Sequence, residues 1–73
     1  MKLEHSPNAD AAYISLLCDE DPRRTVAFTY CCDSKDIDGM INLDFDDSGR
    51  LVGIEILPAS KILPEYLLKN QWG

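Results

Sequence analysis

The sequence has little histidine and shows no catalytic constellation of side chains. A hydrolytic or acid–base enzyme needs a nucleophile, a neighbouring base and a pocket that shields both. The chain has a single histidine, His5, and most of its carboxylates fall in segments that read as solvated turns. The spaced acid pair Asp44 and Glu55 is expected on a polar, solvent-facing side of a sheet. We therefore expect a protein that is not an enzyme and carries no cofactor.

Long apolar runs and an excess of basic residues are also missing, and the first residues do not resemble a signal peptide. The opening stretch MKLEHSPNAD turns polar at once, and no apolar run approaches the roughly 20 residues that a membrane-spanning helix needs. Thirteen acidic against seven basic residues give a net charge of −6, which repels phosphate backbones and anionic lipids. The sequence thus predicts a cytoplasmic protein that binds neither nucleic acid nor membranes.

Cysteine pairs with C-x-x-C spacing are absent as well, although Cys31 and Cys32 are neighbours in the sequence. The three cysteines, Cys18, Cys31 and Cys32, form no C-x-x-C motif, and their odd number makes a poor disulfide framework. We expect reduced thiols that pack as small apolar groups, and no bound metal. The alternative is a zinc site in which His5 joins the three thiols, and it requires the first three strands to converge on one point.

Turn residues recur about every ten positions along the 73-residue chain, without repeats or linkers. A chain of this length forms one domain, residues 1–73, and buries only roughly 60% of the surface that its unfolded form exposes. This spacing of turn residues predicts an α+β fold, a small antiparallel β-meander of four to five strands with one C-terminal helix packed on a face. The helix is expected at about residues 64–71, with Trp72 at the edge of its packing.

The first three strands are set by short alternating segments. If Leu3 pairs with Ile14 across a first hairpin, Ala12 and Ile14 share one face and Tyr13 lies on the other. The segment TVAFTYCC, residues 25–32, is rich in β-branched and aromatic residues and reads as the third strand. Its residues on one face are Val26, Phe28 and Tyr30.

The stretch DFDDSGRLVGIE, Asp44 to Glu55, fits the calcium-loop pattern D-x-[DN]-x-[DN]-G-x5-E except at Ser48. A calcium loop of this type is entered from a helix, whereas MINLDF before the loop and LVGIEIL after it alternate as strands do. Acidic residues and glycine are also common at tight turns for reasons unrelated to metals. The match therefore indicates a hairpin.

A four-residue loop, Asp46 to Gly49, aligns the apolar sets of these two strands and gives Gly49 a positive φ. Asp44 and Glu55 then lie on one face about four residues apart, roughly 13 Å at 3.3 Å per residue, which is too far to share an ion. Gly53 in mid-strand indicates a bulge or a close approach, by the Asn42 side of the hairpin or by a partner chain. The expected cross-strand pairs are Leu43 with Val52 and Ile41 with Ile54.

Two blocks, SPNADAAYISL and INLDFDDSGRLVGIEILPASKIL, resemble the signature blocks of domain-of-unknown-function family 2283, the YuzE-like small bacterial proteins. The pattern is D-x-x-Y-I-x-L followed by D-x-D-x-x-G-R-L-V-G-I-E-I-L-x-A-S, and the chain departs from it at His5 and Ser6, where Tyr and Asp are favoured. The resemblance implies a small α+β fold in a bacterial or archaeal cytoplasmic protein, without an established activity. Members encoded beside small toxin-like proteins suggest an antitoxin-like role. The matching positions are Asp10, Tyr13, Ile14, Leu16, Asp44, Asp46, Gly49, Arg50, Leu51, Val52, Gly53, Ile54, Glu55, Ile56, Leu57, Ala59 and Ser60.

Small size, open sheet edges and an acidic surface favour a non-catalytic protein-interaction module that works as a homodimer or with a small protein partner. The candidate protein-binding residues are Tyr13, Leu51 and Gly53. The alternative is a small ligand- or divalent-metal-binding domain that uses the acidic hairpin. Its candidate residues are Asp44, Asp46 and Glu55.

Overall fold

Alternating apolar and polar residues form five strands of one antiparallel sheet in a computed structural model, which describes residues 1–17, 25–32 and 35–69. Cys18, Trp72 and the predicted end of the C-terminal helix lie outside the described residues. The expected α+β class is confirmed, with two short helices after the last strand. The strands are β1 Lys2–Ser6, β2 Ala11–Ser15, β3 Phe28–Cys32, β4 Met40–Phe45 and β5 Leu51–Leu57; the helices are α1 Ala59–Ile62 and α2 Glu65–Lys69.

The order of the strands, β1-β2-β5-β4-β3, differs from that of the expected meander. β5 lies between β2 and β4, so β3 is moved from the centre of the sheet to its edge. β5 is the longest strand, with seven residues, and buries Val52, Gly53 and Ile56. Such a strand needs a neighbour on each side, whereas β3 has four exposed residues of five and tolerates an edge.

Pairing within the first hairpin is as expected, because Leu3 lies opposite Ile14. The hairpin of β4 and β5 is shifted by two residues from the expected register. Its loop is one residue longer, Asp46–Arg50, and a bulge leaves Val52 without an opposite residue on β4. A shift of two keeps the same side chains on each face, which is why alternation alone does not detect it. The observed pairs are Leu43 with Ile54 and Ile41 with Ile56.

The longer loop is organised by the carboxylate of Asp46, which is 5% exposed. Its Oδ1 accepts hydrogen bonds from the Ser48 amide at 3.0 Å, the Ser48 hydroxyl at 2.9 Å and the Arg50 amide at 2.9 Å. The Asp46 amide also donates to the Arg50 carbonyl at 2.9 Å, which closes the loop one residue later than a four-residue turn. Gly49 has the expected positive φ, at 84°.

α2 lies within the helix expected at about residues 64–71, and α1 is an additional helix that the sequence did not predict. Pro64 cannot continue a helix, and Leu63 before it is extended at ψ 147°, so α1 ends and α2 starts on either side of this pair. α1 packs on β5 and β2, and α2 contacts α1. Among the described residues, the buried apolar side chains are Ala12, Val52, Ile56 and Ala59.

Asp10, in the turn between β1 and β2, accepts hydrogen bonds from the start of α1, although Asp10 and Ser60 are 50 positions apart in the sequence. Its carbonyl accepts from the Ala59 amide at 2.7 Å, and its carboxylate accepts from the Ser60 amide at 2.9 Å and the Ser60 hydroxyl at 2.6 Å. Asp10 therefore serves as the helix cap that Pro58 does not supply. The pKa of Asp10 is lowered mainly by the hydrogen bond from the Ser60 hydroxyl and, to a smaller extent, by the hydrogen bond from the Ser60 amide.

Asp10→Asn should lower the midpoint of urea denaturation at neutral pH. Asn tolerates the φ of 50° at this position but loses the charge that accepts both Ser60 donors. A carboxylate with a lowered pKa stabilises the fold above its unfolded value of 3.8 and loses that effect as the pH falls through its folded value. The difference between the wild type and the variant should thus shrink in acid. Asp47→Asn, in the exposed turn, is the matched control, and an equal effect of both variants would contradict the capping role.

Candidate functional site

The polar face of the sheet carries a hydrogen-bonded row centred on Tyr13. Tyr13 lies opposite Glu55 of β5, and its ring leans along the sheet over Gly53, the residue two positions earlier. The phenol crosses β5 and donates to Asp44 Oδ2 on β4 at 2.7 Å. Thr29 on β3 donates to the other oxygen of the same carboxylate at 2.6 Å. The row thereby ties four neighbouring strands together.

Gly53 makes this arrangement possible because a Cβ at this position would overlap the Tyr13 hydroxyl and the ring carbon that bears it. The sequence indicated a close approach here, by the Asn42 side or by another chain. The approaching group is instead the Tyr13 ring of the same chain. Sequence reasoning missed the pair because the two residues lie on strands that it did not place side by side.

The row has a defined protonation state. Burial, followed by the hydrogen bond to Asp44 and the charges of Asp44 and Glu55, raises the pKa of Tyr13 to about 12. The phenol is therefore protonated at neutral pH and acts as a donor, and it is a poor nucleophile or base there. Beside it, Asn42 donates to Glu55 Oε1 at 2.9 Å, so both acidic residues of this face act as hydrogen-bond acceptors.

The three acidic candidates do not converge. The observed register puts Asp44 and Glu55 diagonally opposite each other, on the order of 7 Å apart, so the separation of roughly 13 Å expected from the sequence is wrong. Both carboxylates nevertheless have protein donors, and the Asp46 side chain turns into its own loop. Among the residues that the structure describes, no group of three acidic, histidine or cysteine side chains is placed to hold a metal ion.

The alternative zinc cluster fails on strand order. His5 is on β1 and Cys31 and Cys32 are on β3, and these strands form opposite edges of the sheet, separated by about 19 Å at 4.8 Å per strand. The two cysteines also follow each other in one strand, so their side chains point to opposite faces.

The protein-binding candidates from the sequence are less accessible than the edge strand. Tyr13 and Leu51 are half-buried, and Gly53 is buried. Three large apolar side chains in and beside β3 are more exposed, at 48% for Val26, 53% for Phe28 and 60% for Tyr30. Sequence alternation placed these three on one face, but the meander order placed their strand in the interior of the sheet.

A small, open hollow of about 390 Å³ lies beside Tyr13, next to the first hairpin. It brings Glu4, His5 and Glu55 to its rim along with Tyr13. Lys2 already pairs with Glu4 at 3.4 Å, so part of the acidic charge of the hollow is neutralised within the chain.

The contacts of Tyr13, Gly53 and Asp44 join β2, β5 and β4 of this small α+β domain, and all three residues lie in the segment that matches a known family. Residues 2–60 match the family model described as "Protein of unknown function (DUF2283)". The match covers most of the chain, which therefore belongs to this family. No significant match is found among curated proteins, and none among solved structures. Neither described helix has the length and apolar character to cross a membrane.

The effect of Gly53→Ala on the free energy of unfolding should depend on which side chain is present at residue 13. In the wild type, Gly53→Ala should cost about 1–3 kcal/mol, because the new methyl group overlaps the Tyr13 ring. In a Tyr13→Val background the ring is gone, and the same change should be neutral or stabilising by about 0.5–1 kcal/mol, as for an ordinary mid-strand glycine. Urea denaturation of the four proteins measures both values. An equal cost in both backgrounds would show that the ring is not the reason for Gly53.

Calcium titration followed by calorimetry should give no saturable heat. Three carboxylate oxygens of Asp44 and Glu55 already accept hydrogen bonds, from Tyr13, Thr29 and Asn42, and a calcium ion would have to displace these donors. Glu55→Ala is the informative variant and the exposed Glu65→Ala is its control. Micromolar binding that Glu55→Ala removes and Glu65→Ala retains would establish a calcium site in this hairpin.

Proposed function

We propose that the protein is a non-catalytic protein-interaction module that works as a homodimer. The observation that carries this proposal is an apolar surface at the β3 edge, called here the β3 patch. Its members are Val26, Phe28, Tyr30 and Phe45.

The patch is the uncovered part of an otherwise buried face. In the alternation of the sheet, Phe28 and Tyr30 lie on the same side as Ala12 and Ile56, which are 2% and 5% exposed. The main helix contacts are with β5 and β2, which are the central strand and its neighbour, and not with β3 at the edge. Burial therefore falls from the centre of the sheet toward β3, which leaves apolar surface where another chain can cover it.

The patch is also ordered by its own packing. The rings of Phe28 and Phe45 stack across β3 and β4, with centroids 5.0 Å apart and planes inclined by 15°. A stacked pair loses little conformational freedom when a partner covers it, and aromatic side chains contribute strongly to binding in interfaces.

Association also stabilises the folded state, which has only a small hydrophobic core. Among the described residues, the large buried side chains are few, and a chain of 73 residues buries a small share of its surface on folding. Binding of a second chain to the folded state stabilises that state by mass action.

A second copy is a better match to the patch than a basic partner is. No charged residue occurs from Thr25 to Cys32, so the net charge of −6 is carried outside the edge strand. A basic, antitoxin-like complex with a small protein would instead use the acidic surface, and it remains the alternative partner. The acidic hairpin as a small-ligand or divalent-metal site is the weaker proposal, because its carboxylates have protein donors.

Sedimentation at tens of micromolar protein should give a dimer that tightens at high salt, because salt screens the repulsion between two chains of charge −6. A complex with a basic protein should weaken under the same change. Tyr30→Ser should shift the wild-type dimer toward monomer. Tyr66→Ser is the matched control, since Tyr66 on α2 is similarly exposed, at 65% against 60% for Tyr30. A wild-type monomer at both salt concentrations, with no partner recovered from native lysate, would remove the support for an interaction module.

A further inference from the structure

We infer that two copies associate edge to edge through β3, in antiparallel pairing, so that the five described strands of each copy join in one continuous sheet. This inference rests on the proposed homodimer and specifies its geometry. It depends on the difference between the two edges of the sheet and on the alternation of side chains along β3.

The two edge strands differ in protection. β1 carries Lys2 and Glu4, which form an ion pair at 3.4 Å along the edge. β3 carries neither charge nor proline and is uncharged for three residues before it. Charged side chains and proline are the usual means of preventing strand addition at an edge. Of the two edges, only β3 lacks them, and within the described residues it pairs on one side alone, with β4.

Charge indicates which strand can be added. A strand from a basic partner would find no carboxylate on β3 to meet its charges. A neutral strand with matching alternation fits, and a second β3 is such a strand. The overall charge of −6 slows the encounter of two copies but places no like charges directly opposite each other within the paired strands.

Alternation and overlap define the register. The apolar face is continuous across two sheets only if residues of the same parity lie opposite each other. Full overlap of the five-residue strand then puts Tyr30 on the two-fold axis, opposite its own copy. In this register Phe28 lies opposite Cys32, and Thr29 lies opposite Cys31. The two β3 patches become one apolar strip that neither copy covers alone.

The register is tested by disulfide formation between two different variants in a background where Cys18 and Cys32 are serine. One variant carries Thr29→Cys and Cys31→Ser, and the other retains Cys31 alone. Opposite residues of antiparallel strands have Cα atoms about 4.5–5.5 Å apart, within the range that a disulfide spans, whereas two Cys31 residues would be about 8 Å apart. We expect a mixed cross-linked dimer as the main product and little product from either variant alone.

Amide hydrogen exchange of the wild-type protein provides a measurement that needs no substitution. Phe28–Cys32 should gain protection as protein concentration rises through the dimer range, and Lys2–Ser6 should not. A dimer in which the mixed variants do not cross-link and β3 gains no protection would overturn edge pairing while leaving the proposed homodimer intact. Cross-linking of Cys31 with itself would overturn the fully overlapped register. A monomeric wild type would remove the proposed function itself.

Discussion

The contact between the Tyr13 ring and Gly53 is the constraint on which the rest of the sheet depends. β5 is the central strand, and the phenol can reach over it to Asp44 only because residue 53 has no side chain. Thr29 then extends the same row to β3. Since burial and neighbouring charge keep the phenol protonated, the row has the same hydrogen bonds throughout the neutral range.

The residues that carry the family resemblance are largely those that hold this fold together. Asp10 caps the helix that contains Ser60, and Asp46 organises the loop that contains Gly49. In contrast, none of the four residues of the β3 patch belongs to the resembling set. The family pattern therefore accounts for much of the architecture, whereas the proposed interface uses residues outside that pattern.

Alternation in the sequence was sufficient to predict the α+β class, the first hairpin and the faces of the strands. It was not sufficient for the register of β4 and β5, because a shift of two residues leaves every face unchanged and the choice is made by the side-chain hydrogen bonds of Asp46. Alternation could not predict the strand order either, because β2 and β5 are neighbours through the contact between Tyr13 and Gly53, which are 40 positions apart in the sequence. The polar site was predicted only in part for the same reason: its acidic members were identified, but their nearest donors were not.

The position of β5 at the centre of the sheet also affects the sequence of folding events. The hairpin of β1 and β2 and the set of β3, β4 and β5 are each closed by neighbouring segments, whereas the join between β2 and β5 links distant parts of the chain. Distant pairing has a larger loop-closure cost and is slower. During synthesis the first hairpin therefore emerges long before its partner strand, and a two-stranded hairpin alone is marginally stable in water. The final step that completes the domain is the docking of the first hairpin on β5, a strand that is synthesised well after it.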